Sequence, residues 1–230
     1  MKNRFFFLCA VALFITISEA NSQTRIRAGI NLANISVTDG GEVNRANTLT
    51  SFQAGIITEL PLAGNNITLQ PGILYTGKGS KIESGDPNSL NYYKATVNPF
   101  YIEVPVTLVF KAGLGTGTNF FAGAGPYGAI GVTGKRKIEG KIACIAYSGE
   151  KNIDFSNDDP TTFSQDEGAG YGIMRRFDYG LNGTAGIEGK SVVLGVNYGL
   201  GLAKLQSGTN SSQNNNNKHR VVSFTIGFKL

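Results

Sequence analysis

The chain has 230 residues, of which 37 are charged (21 Lys+Arg and 16 Asp+Glu); this is 16%, against about 25% for an average soluble domain. It holds 31 glycines, two cysteines, one histidine and no tryptophan. That composition excludes a disulfide scaffold, a metal centre of several Cys and His ligands, and a charged disordered tail. So much glycine also argues against a helical protein, because each costs a helix up to about 1 kcal/mol relative to Ala.

The N-terminus reads as an export signal. Lys2 and Arg4 precede an unbroken apolar run from Phe5 to Ile15, and Ser18-Glu19-Ala20 offers a small-x-small exit. The run is too short to cross a bilayer as a helix, which takes about 20 residues. Residues 1–20 are expected to be the signal peptide, and residues 21–230 one domain. Without Lys2, Arg4 and Glu19, the domain keeps 19 basic and 15 acidic side chains, about +4. That excess is too small to mark a nucleic-acid partner.

The domain then alternates with period two, the signature of a strand with one apolar face. Ile26, Ala28, Ile30 and Leu32 oppose Arg25, Arg27, Gly29 and Asn31. Phe52, Ala54, Ile56 and Leu60 oppose Gln53, Gly55 and Glu59. Ile67, Leu69, Ile73 and Tyr75 oppose Thr68, Gln70, Gly72 and Thr76. Ile102, Val104, Val106, Leu108 and Phe110 oppose Tyr101, Glu103, Pro105 and Thr107. A Gly- and Ala-rich stretch from Asn119 to Gly134 supplies a fifth strand by elimination. Phe177 to Glu188, Val192 to Ala203 and Val222 to Leu230 complete eight, with Glu188-Gly189-Lys190 as a tight corner.

Connections of alternating length organise these strands. Long ones are expected at 37–47, 79–92, 135–175 and 205–219, and short ones at 61–65, 111–118 and 189–190. Long loops on one side, with short turns and both chain ends on the other, are the layout of an eight-stranded antiparallel up-and-down transmembrane β-barrel. No apolar stretch after residue 20 is long enough for a spanning helix, so a membrane location requires a closed barrel. A soluble lipocalin-like carrier also alternates, with its apolar face inward. The membrane reading is preferred because the polar face is mostly Gly, Ala, Ser, Thr and Asn, which suits a narrow filled interior. The charges within it (Arg25, Arg27, Glu59, Glu103, Asp178 and Glu188) carry both signs and can pair as a structural lumen network.

Two segments carry a family resemblance. Leu69-Gln70-Pro71-Gly72-Ile73-Leu74-Tyr75-Thr76-Gly77-Lys78-Gly79 and Tyr101-Ile102-Glu103-Val104-Pro105-Val106 resemble the third and fourth strands of the PorT-like outer-membrane β-barrel proteins of the Bacteroidota. Gly72 stands where an acidic residue is common in that family, and Leu230 where a terminal Phe is common. The resemblance implies a barrel in the cell outer membrane, delivered there by the barrel assembly machinery. Because the name-giving member is implicated in protein secretion and gliding, a part in such an apparatus is the alternative role.

No motif carries catalysis. Gly123-Ala-Gly125-Pro-Tyr-Gly128 matches a dinucleotide fingerprint, but Pro126, Gly131 and Gly134 deny the helix that the fingerprint requires. The single His219 can form neither a triad nor a metal centre, and the acidic residues Asp154, Asp158, Asp159, Asp166 and Glu167 lack calcium-loop spacing. No cofactor is expected. Glu103 is expected to pair with Arg25 or Arg27. Lys135, Arg136 and Lys137, with Arg175 and Arg176, are expected to meet at the outer rim, where they would contact lipopolysaccharide phosphates. The expected function is therefore non-enzymatic, a structural or binding role through the outer loops.

Overall fold

The computed structural model describes residues 23–36, 47–63, 66–86, 88–115, 117–143, 145–156, 173–205 and 218–230. Its strands are β1 (Gln23–Ser36), β2 (Leu49–Ala63), β3 (Ile67–Gly77), β4 (Ser80–Ser84), β5 (Tyr92–Gly115), β6 (Thr118–Ile142), β7 (Ile145–Asn152), β8 (Asp154–Phe155), β9 (Ile173–Met174), β10 (Phe177–Glu188), β11 (Val192–Gly201) and β12 (Lys218–Lys229). Eight of them form a closed antiparallel ring in the order β1-β2-β3-β5-β6-β10-β11-β12. The seam pairs Arg25 with Lys229 through to Ser36 with Lys218, and the Leu230 amide donates to the Thr24 carbonyl (2.9 Å).

The pleat sorts side chains by polarity. Ile30 and Phe224, paired across the seam, are 57% and 53% exposed, and Phe52, Ile73, Leu181 and Leu194 also point outward. On the other face Glu103 is 6% exposed and Asp178 3%. This is the reverse of a lipocalin-like carrier, whose apolar face lines its lumen, and it gives the ring an apolar belt. Phe52, Tyr75 and Phe100 cluster on the belt, with the last two rings stacked at 4.9 Å. Such aromatics suit the membrane interface.

Three expected connections contain strand. In the expected turn at 111–118, β5 runs on to Gly115 and β6 begins at Thr118, with Gly115 and Gly117 at φ +87° and +79°, a left-handed conformation open to glycine. The expected loops 79–92 and 135–175 contain a four-stranded finger, β4-β5-β6-β7, rising from the outer rim. There β5 and β6 stay paired out to Tyr92 and Lys141, while β4 and β7 flank them. The period-two signal fails here because the finger stands clear of the bilayer, so neither face must be apolar. Residues 1–20, most of the expected loops 37–47 and 205–219, and the centre of 135–175 lie outside the described residues.

Candidate functional site

The lumen is filled at several levels. Nearest the outer mouth, Ile35, Val97, Ile153, Met174 and Leu205 form a buried apolar cluster, with Phe155 packed against it. The segments Ile153 to Ser156 and Met174 to Arg175 lie across the opening. They are held by Ile153 N–H to Gly134 C=O (2.9 Å), Ser156 N–H to Met174 C=O (3.0 Å) and Arg175 N–H to Leu205 C=O (2.8 Å). A short parallel pairing of β8 with β9 completes this cap.

Beneath the cap, Tyr101 meets Phe155 and His219 edge to face, at 5.6 and 5.4 Å. Then comes an ionic knot. Lys78 Nζ lies 2.6 Å from Glu103 Oε2 and 2.9 Å from Asp178 Oδ2, and 3.9 Å from the centre of the Tyr127 ring. The Tyr127 hydroxyl donates to Asp178 (3.1 Å), and Asn182 Nδ2 donates to Glu103 Oε1 (2.8 Å). Each carboxylate thus faces a cation and a neutral donor, the arrangement that makes a buried ion pair tolerable.

A second network closes the inner end. Arg25 Nη2 donates to Gln70 Oε1 (2.6 Å), and Gln70 Nε2 donates to Glu59 Oε2 (3.3 Å), which Arg25 also approaches at 3.7 Å. Lys111 bridges Glu59 and Glu188, the latter at 2.6 Å, and Lys229 also pairs with Glu188. Val109, Phe121 and Val193 pack as a small apolar cluster at this end. Between the networks lies a polar cavity of about 40 Å³ whose wall includes Arg27, Gln53, Asn182, Asn197 and Ser223.

The structure therefore pairs Glu103 with Lys78; Glu103 forms no ion pair with Arg25 or Arg27, and attracts Arg27 only at longer range. Arg25 turns to Glu59 instead, because Arg25, Glu59 and Glu188 lie near the inner ends of their strands and Glu103 lies higher. Sequence reasoning missed Lys78, Lys111 and the lumen position of His219. Period two continued from Thr76 reaches Lys78, and continued from Thr107 it reaches Lys111, so the signal was present but assigned to turns.

The five rim cations are not one patch. Lys135 pairs with Glu150 (2.6 Å) and Lys137 with Glu139 (2.7 Å), both on the finger. These hydrogen-bonded lysines hold the Glu150 and Glu139 carboxyls below the usual carboxylate range, and Glu139 in turn raises Lys137. Arg176 donates to the Phe155 carbonyl (3.0 Å), and its own carbonyl accepts from Gly131, four residues along β6 from Lys135. At about 3.3 Å per residue this separates the two groups by roughly 13 Å. The cause is that β7, not β10, borders β6 beyond the ring.

A closed ring with an apolar belt, a packed polar lumen and a strand finger at one mouth defines an integral β-barrel. The model of the outer membrane protein beta-barrel domain family matches residues 18–207, and the chain belongs to that family. It is an outer-membrane β-barrel protein. Among solved structures, Ail, the attachment invasion locus protein of Yersinia pestis, is similar at 14% identity, over 91% of this chain and 99% of that one, with a TM-score of 0.40. The N-terminal β-barrel domain of Pseudomonas aeruginosa OprF is similar at 10% identity, over 91% and 98%, with a TM-score of 0.35. No curated protein sequence matches the chain.

Proposed function

We propose that this chain is a non-enzymatic outer-membrane protein that acts through its outer surface, with a lumen that passes no stream of solutes. The observation that carries this reading is the filling of the lumen by two ion-paired layers beneath an apolar cap. An eight-stranded ring leaves an interior just wide enough for its own side chains. The surface it offers outside is the finger β4-β5-β6-β7. In planar bilayers the refolded protein is expected to show no sustained conductance. A steady open pore would overturn the reading.

Within the family, the PorT-like subgroup is proposed on the segments 69–79 and 101–106. They contribute Gln70, Lys78, Tyr101 and Glu103 to the lumen layers. The proposal extends to lipopolysaccharide phosphates as ligands of Lys135, Arg136, Lys137, Arg175 and Arg176. These cations would act as two separate groups, and Glu150 and Glu139 would compete for Lys135 and Lys137. Replacing all five with Gln is expected to lower the lipid A that co-purifies with the protein. Unchanged lipid A would remove lipopolysaccharide from the reading while leaving the closed lumen intact.

A further inference from the structure

Among the described residues the inward-facing charges do not balance. Arg25, Arg27, Lys78, Lys111 and Lys229 are five cations, against the four carboxylates Glu59, Glu103, Asp178 and Glu188. His219 is counted neutral, as in the formal charge of the chain. Every carboxylate is engaged by Lys78, Lys111, Lys229 or Arg25, and the cation left over is Arg27. Among the described residues no carboxylate lies within ion-pair distance of it, Glu103 attracting it only from farther off, and its Nε is buried with no hydrogen-bond partner.

A half-buried guanidinium with a buried, unmet N–H donor is costly unless a negative group pairs with it. Arg27 lines the mid-lumen cavity, and so does Gln53, whose Nε2 is a second buried donor without a partner. The unpartnered side-chain polar atoms in this wall are therefore both N–H donors. The buried acceptors without partners, on Asn31 and Asp178, lie outside it. Glu103, the one carboxylate in the wall, is already held by Lys78 and Asn182.

We propose that the mid-lumen cavity binds one small monovalent inorganic anion of the halide class, held by the Arg27 guanidinium and the Gln53 amide. Charge selects the valence, because one negative charge brings the described inward-facing groups to neutrality and a dianion overshoots. Size points the same way: about 40 Å³ suits a chloride with a water or two, since one water takes roughly 10–15 Å³ on this measure. A smaller void of about 10 Å³ continues from Arg27 past Thr184 and Asn197 toward Arg25, on the inner side.

The test uses the mature chain refolded in detergent micelles. Its thermal midpoint is followed by circular dichroism as sodium chloride replaces sodium gluconate at constant ionic strength, gluconate being too large for the cavity. The expected result is a saturable rise in midpoint with chloride. In Arg27→Gln the half-saturating concentration is expected to rise at least about tenfold or the response to vanish. Gln53→Glu places a carboxylate where the anion would sit, so it should remove the response while stabilising the barrel in gluconate. It also keeps the test decisive if Arg27→Gln fails to fold. Crystals grown in bromide should show an anomalous peak beside Arg27. No chloride response in the unmodified protein, or an equal response in the folded variants, would overturn the proposal.

Discussion

Removing one charge from the ionic knot should cost as much as breaking a buried ion pair. In Lys78→Met the cation between Glu103 and Asp178 disappears, and all three side chains lie within a few per cent of full burial. Each carboxylate keeps one neutral donor, Asn182 for Glu103 and Tyr127 for Asp178, so neither is left bare. Breaking a buried pair by deleting one partner costs about 3–5 kcal/mol. The two contacts share a single Nζ, so their losses overlap, and the expected cost stays in that range without doubling. The triple variant Lys78→Met/Glu103→Gln/Asp178→Asn removes the orphaned charges as well, and should return to within about 1–2 kcal/mol of the parent. Urea titration in micelles, followed by far-ultraviolet circular dichroism because the chain has no tryptophan, measures both. A single variant within about 1 kcal/mol of the parent, or a triple as unstable as the single, would refute the reasoning.

The apolar belt predicts that Phe224→Lys, at an outward position midway along β12, loses about 2–4 kcal/mol in bilayers, measured by urea titration in vesicles. Gly125→Ala would set a Cβ against the Val106 carbonyl oxygen and 2.8 Å from Thr107 Cα, so a loss of about 1–3 kcal/mol is expected by the same assay. The finger should loosen in acid. Glu139 and Glu150 have folded values below the unfolded value of 4.5, so their contribution is present above that pH and is lost as pH falls through the lower folded values. Amide exchange in β7 should quicken over that window while the ring strands stay protected. Uniform protection down to the same pH would count against the two ion pairs as finger clamps.

Much of the ring was legible because lipid on one side and a packed lumen on the other force an alternation that simple counting detects. Ile26 to Leu32 and Val222 to Leu230 show it cleanly, and both lie on the seam. Legibility ended where that constraint ended. Above the rim, Lys135-Arg136-Lys137 looks like the start of a loop, yet β6 runs on to Ile142, because water solvates both faces of a strand there. In the lumen the types of residue were readable but their partners were not. Lys78 meets Glu103 from β5 and Asp178 from β10, contacts fixed by strand stagger and not by order along the chain. The cap was illegible for a related reason: Ile153, Met174 and Leu205 come from three segments far apart along the chain, gathered only by the fold.

The seam has a kinetic meaning. Arg25 and Lys229 stand opposite each other although some two hundred residues separate them along the chain. Every other neighbouring pair in the ring has a shorter separation, so hairpins can form while this junction waits. Contacts of such long range are slow to form, since the entropy of closing the loop must be met before the contact contributes. Until β12 arrives, β1 is a bare edge with a full row of unmet hydrogen-bonding groups, which hydrocarbon does not tolerate. Insertion of this protein is therefore expected to be rate-limited by a single late zipping event, with β1 needing a substitute partner until it occurs.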